Sequence, residues 1–186
     1  MNNWIDEDSF IPKFEPDQAV QILQQRNINV RRTSLLAYAN LLPWKPKREM
    51  SRGENDEKER GRKTLYSRAH IAAIEASYKM VHGRYDDPLL WELLGESEMI
   101  QGDDTKFTGV ISALKLSKSL VRIAASLATT NLVQVNPELE RFIFQNIESR
   151  KECCGTINKE IIKYGKHANL IQWASDVWEE LFLKAL

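Results

Sequence analysis

Arg31 and Arg32 stand side by side just ahead of Ser34, and a second group of cations follows within about thirty residues: Lys45, Lys47, Arg48, Arg62 and Lys63, with Tyr66 close behind. Arginine pairs of this kind suit anion recognition, because a guanidinium can grip a phosphate or the O6/N7 edge of guanine with two parallel hydrogen bonds. Residues 31 to 68 hold 11 basic and 5 acidic side chains, although the whole chain balances 26 Lys plus Arg against 26 Asp plus Glu. A local positive field inside a neutral chain points to an anionic partner. Arg31, Arg32 and Ser34 are candidates for base edges, the remaining cations for phosphates. Tyr66 is counted with the same group, although packing in the small domain's core is favoured for it over contact with DNA.

Catalytic chemistry finds little footing. The sequence has no glycine-rich phosphate loop, no His-Glu-x-x-His and no Gly-x-Ser-x-Gly. The acidic pairs Asp86/Asp87 and Asp103/Asp104 fall at expected helix starts, where capping accounts for them. Neither His82 nor His167 has the arginine five places earlier that a helical ribonuclease of the Arg-x4-His kind would need. No enzymatic activity and no cofactor are expected. Two adjacent cysteines, Cys153 and Cys154, supply at most part of a metal's coordination shell, so buried packing near a helix start is the simpler reading.

Those cations need elements to hold them. In 15-EPDQAVQILQQ-25, Pro16 suits the first helical position and Asp17 complements the helix dipole. Ala19, Val20, Ile22 and Leu23 make a buried stripe, and Asn27 closes the helix in the left-handed region. Asn29 is then expected to cap a second helix with Arg31 and Arg32 in its first turn and Leu35, Leu36, Ala39 and Leu42 facing inward. Cations there oppose the dipole, so something other than helix stability must retain them. After Pro43, "KREM" and "KTLY" suggest a two-stranded ribbon around a charged tip at 51–61.

From Ala69 onward the pattern is helical. Ile71, Ile74, Tyr78 and Val81 share one face. Asp87 and Pro88 open a helix toward residue 100. Val110, Leu114, Ser117, Val121 and Ala125 line a long one. Asn136 and Pro137 begin another, which runs on through residue 152, and two more complete the chain. The tryptophans Trp91, Trp173 and Trp178 suit core or dimer packing, with an effector pocket as the alternative.

Two short helices followed by a basic ribbon form the outline of a winged helix-turn-helix, and here the residues resemble the MerR-type transcriptional regulators. "NINVRR" sets Asn27 at that family's glycine, Asn29 at its serine cap and Arg31 at its arginine. Asn40, Leu41 and Leu42 fall on its Gly-Leu-Leu, and "YSRAHI", Tyr66 to Ile71, fits its closing segment. The resemblance covers roughly residues 15 to 82. Leu35 and Leu36 replace the usual aromatic pair, and His70 stands where an acid is usual.

The expectation is a mainly α protein: a winged helix-turn-helix with a small β-hairpin wing over residues 1–82, its first dozen residues a partly ordered arm, and an all-α dimerisation or effector domain over 83–186. The resemblance implies a sequence-specific DNA-binding regulator, a repressor before an activator, acting as a homodimer on a palindromic operator. The helical part leaves room for a small-molecule or protein effector. The competing class is a protein-binding adaptor working through the helical part; a helical nuclease or toxin is a third. The acidic start is unlike a secretory signal, and no apolar run approaches the roughly 20 residues a membrane span needs. Together these suggest the cytoplasm.

Overall fold

The computed structural model describes residues 6–50, 62–82, 105–164 and 168–186, with the side chains of 50, 62, 105–116, 160, 163 and 164 outside that set. Among the described residues the chain is mainly helical with one small antiparallel sheet. The expected helix over residues 86–100, the acidic pairs at 86–87 and 103–104, the ribbon tip at 51–61, Trp91 and His167 all lie outside the described residues.

The first helix, α1 (Pro16–Gln25), starts as its sequence indicates: Pro16 is at the first position, and the Glu15 backbone N–H donates to Gln18 Oε1 at 2.9 Å. Asn27 ends it with a φ of 61°, a left-handed conformation that asparagine tolerates better than most residues. Ile28 and Val30 then dive into the core while Asn29 points outward, so the chain stays extended two residues longer than its cap signal suggests. As a result α2 (Arg32–Ala39) takes Arg31, not Asn29, as its N-cap, and no side chain caps it. Leu35, Ala39 and Leu42 are buried as expected. Leu36 is not: it is 46% exposed, and the inward position is filled by Tyr38. Tyr38 Oη lies 2.9 Å from His82 Nε2 and tilts against the Tyr78 ring.

The ribbon forms from β1 (Lys47–Met50) and β2 (Arg62–Leu65), with Arg48 opposite Thr64 and Lys47 opposite Leu65. Lys13 and Phe14 extend it, since Phe14 and Tyr66 exchange backbone hydrogen bonds at 2.9 and 2.8 Å. The N-terminal arm is tied down further by a 3-10 turn at Glu7–Phe10 whose Phe10 ring is buried near Phe142. Helix α3 (Arg68–His82) begins on a reciprocal cap. Ser67 Oγ accepts from the His70 backbone N–H, and His70 Nδ1 accepts from the Ser67 backbone N–H, each at 3.1 Å. The imidazole thus does the work that Glu or Gln does in a capping box.

Helix α4 (Thr105–Val135) and α7 (Ala168–Ala185) pack together and against α3. Ala69, Ala72, Ala73 and Ala76 let α3 approach closely, and Ser117, Val121 and Ala125 line α4 as the spacing predicts. Trp178 and Phe182 stack at 5.1 Å in this core, and Trp178 Nε1 donates to Ser77 Oγ. The single helix expected from Pro137 is broken. A 3-10 turn (Pro137–Leu139) leads into the one-turn α5 (Glu140–Ile143), and α6 (Ile147–Tyr164) restarts on Asn146, whose Oδ1 accepts from the Ser149 backbone N–H at 2.7 Å. Asn136 takes the N-cap position of the 3-10 turn, where its backbone carbonyl accepts from the Leu139 N–H at 3.1 Å and its side chain makes no capping hydrogen bond. Phe144, buried in the core, needs the extended backbone that causes the break. One hydrophobic cluster runs from Phe10 to Ala185, so residues on both sides of 82 share it.

Candidate nucleic-acid interface

Arg31 and Arg32 are both exposed, and among the described residues neither enters an ion pair or side-chain hydrogen bond. Their position follows from the local sequence. Burying Val30 fixes the chain just upstream, burying Leu35 fixes the helix just downstream, and residues 31 and 32 are left at the surface between them. The first turn of α2 has no side-chain cap, and two arginines stand at that end of the helix. Such a terminus offers N–H groups and a positive dipole end to an anion. Ser34, half-buried, is one turn along the same helix.

Tyr66 ties this helix tip to the ribbon. It is 2% exposed, and burial raises its phenol pKa, while the positive charges of Arg32 and Arg48 act in the opposite direction. The charges of both guanidinium groups, one on α2 and the other on β1, thus bear on one buried phenol. Tyr66 itself is withdrawn from solvent and also edges onto the His70 ring. It anchors the junction and is not a contact group.

The ribbon cations divide. Arg48 is exposed and without an ion-pair partner among the described residues. Pairing register sets residues 48 and 64 on one face and residues 47, 49, 63 and 65 on the other. On that second face Lys47 pairs with Glu49 at 2.7 Å, and Lys63 pairs with Glu15 at the start of α1. Both pairs are exposed, so they hold their lysines weakly. Arg62 pairs with Met50 in the ribbon, and its side chain is outside the described set.

Lys45 belongs elsewhere. Its ammonium donates to the Asn40 and Leu42 carbonyl oxygens at 2.8 and 2.7 Å, closing the C-terminal end of α2. That end is roughly 12 Å from Arg32 at 1.5 Å per helical residue. Here Lys45 lines a polar cleft of about 210 Å3 together with Arg122, Glu152 and Cys153. Burial lowers its pKa, Arg122 lowers it further, and Glu152 partly offsets both.

Sequence spacing gave no sign of the buried charge behind the interface. Glu75, on α3, is 2% exposed and receives Arg26 at 2.7 Å and Lys79 at 2.5 Å. A lone acid on an otherwise apolar helix face, 71-IAAIEAS-77, is the only hint the sequence carries. Cys153 is buried and Cys154 exposed, in the middle of α6 and not at its start. Trp178 is core and Trp173 half-buried. Among the described residues no cluster of three or more His, Cys, Asp or Glu is arranged to hold a metal ion, and no helix is long and apolar enough to cross a membrane.

No protein-family model, curated protein or solved structure matches the chain.

Proposed function

We propose that this protein is a sequence-specific DNA-binding regulator of transcription whose first 82 residues act as a winged helix-turn-helix of the kind the MerR-type regulators use. The observation that carries the reading is the pair Arg31 and Arg32, exposed and, among the described residues, without carboxylate partners at the uncapped start of α2, with the charges of Arg32 and of Arg48 on the ribbon both felt at Tyr66. Cations at a helix start lower its stability by a few tenths of a kcal/mol, so their retention there speaks for an outside anion. A helix entering a major groove tip first would present Arg32 to a base edge while Arg48 reaches the flanking phosphates. In this reading the protein acts as a homodimer on a palindromic site, since two recognition helices require two half-sites, and repression is the simpler outcome of occupying a promoter.

The test is selection of bound fragments from random DNA, followed by a mobility-shift assay on the selected sequence with competitor DNA at moderate salt. Enrichment of an inverted repeat, with binding lost on scrambling it, is the expected result. Recovery of no preferred sequence, or binding unchanged when Arg31 and Arg32 are both replaced by alanine, would overturn the reading.

A further inference from the structure

Lys45 shares its cleft of about 210 Å3 with two helices that line it at the same spacing. Arg122 and Ser126 are four residues apart on α4, and Glu152 and Thr156 are four apart on α6, so each helix gives one charged group and one hydroxyl from a single face. Arg122 is the one residue of 120–126 that is not buried, so this stretch of α4 meets solvent through its guanidinium. Opposite charges in one cleft gain by pairing, yet among the described residues neither Arg122 nor Glu152 enters an ion pair or a side-chain hydrogen bond. Lys45 is also uncompensated. Two of its three N–H donors go to the Asn40 and Leu42 carbonyls, which are neutral, and one donor and the full charge remain. Burial and Arg122 together lower its pKa by more than Glu152 raises it, so the cleft is short of negative charge.

We propose that this cleft between the end of α2, α4 and α6 is a binding site for a small amino dicarboxylate, of the class of glutamate and aspartate. The lining carries two positive charges, Lys45 and Arg122, and one negative, Glu152. A ligand with two carboxylates and one ammonium meets all three: one carboxylate on Arg122, the other on Lys45, and the ammonium on Glu152. The Ser126 and Thr156 hydroxyls are left to donate to the remaining carboxylate oxygens. Simpler anions fit less well. A phosphate or sulfate would satisfy the cations and be repelled by Glu152, and an amino acid with one carboxylate would leave a cation unmatched. The size agrees, since the cleft is smaller than the roughly 300–1,000 Å3 of sites for drug-sized molecules.

Calorimetric titration of the full chain at fixed ionic strength tests the assignment, with L-glutamate and L-aspartate as probes and the matching diacids, glutarate and succinate, as controls. At least one of the amino acids should bind with a Kd of about 1 mM or tighter. Its diacid, which lacks the ammonium, should bind about tenfold more weakly. Arg122→Ala should weaken the amino acid about tenfold, and Glu152→Gln should make amino acid and diacid bind alike. Both replaced residues are exposed, so circular dichroism of the variants should match wild type. Neither amino acid binding below roughly 10 mM overturns the site. So does undiminished binding by Arg122→Ala, or a diacid that binds wild type as tightly as its amino acid, which would reduce the cleft to a plain anion contact. DNA takes no part in these titrations, so this assignment and the regulator reading stand or fall separately.

Discussion

The Arg26 guanidinium lies 2.7 Å from the Glu75 carboxylate, and its Nη1 donates to the Ala185 carbonyl oxygen at 2.7 Å. One residue just past α1 thus joins α3 and the end of α7, and the small helices that carry the exposed arginines are fixed to the bundle through it. Glu75 is 2% exposed, so its charge depends on these partners.

Replacing Arg26 with methionine keeps the aliphatic stem and removes the charge. Lys79 would remain beside Glu75, and Arg26 is itself 36% exposed, so the cost falls below that of stripping a buried pair completely: about 2 kcal/mol. Urea unfolding followed by circular dichroism measures it. A midpoint unchanged from wild type would show that Glu75 is satisfied without Arg26.

Arg32 and Arg48 should separate base reading from backbone contact. Arg32→Ala is expected to cost about 1 to 3 kcal/mol on the selected site and to relax preference at one base pair. Arg48→Ala should weaken all sequences alike and reduce the slope of log affinity against log salt by about 0.9. Titrations at several salt concentrations, on selected and scrambled duplexes, distinguish the two. Equal behaviour of both variants would place both arginines on phosphate.

His70 predicts a pH dependence. Its Nδ1 accepts from the Ser67 backbone, and burial lowers its pKa from 6.5 to about 4, with the Lys45 backbone acting against the shift and the Lys45 charge adding to it. The folded protein therefore holds His70 neutral where the unfolded chain would protonate it. This contribution to stability is complete above pH 6.5 and is lost as pH falls toward 4, by an amount on the order of 3 kcal/mol. His70→Gln, which keeps a capping acceptor, should flatten the stability profile across that window. A variant profile as steep as wild type would assign the slope to other groups.

Much of the architecture was legible because local signals set it. Pro16 and Asn27 bound α1 by their own backbone preferences, and the short extended-looking segments "KREM" and "KTLY" marked the two strands, the second to within one residue. Tertiary demands overrode local ones elsewhere. Asn29 is a good cap, yet burying Val30 delays α2 until Arg32. Phe144 breaks a helix that its sequence would continue, because its ring is needed in the core. At the candidate interface, the exposure of Arg31, Arg32 and Arg48 followed from the pattern. The burial of Tyr66 agrees with the packing role its residue type favours, whereas the diversion of Lys45 did not follow from the pattern, since it depends on the Asn40 and Leu42 carbonyls that the end of α2 leaves open.

Lys45 provides a control for every claim about the cationic face. It is as basic as its neighbours in the sequence, but its ammonium is committed to the Asn40 and Leu42 carbonyls, acceptors that the end of α2 leaves without helical partners. Lys45→Met preserves the stem and deletes both bonds. Each bond from a charged donor to a backbone carbonyl is worth about 1 kcal/mol after solvation is counted, and water can replace part of that at this half-exposed site, so the variant should lose about 1 kcal/mol in urea unfolding. Its salt slope for DNA should match wild type, in contrast to Arg48→Ala. A salt slope reduced by about 0.9 in Lys45→Met would mean that the ammonium leaves α2 to meet a phosphate, and the boundary drawn here between anchoring and contacting cations would have to move.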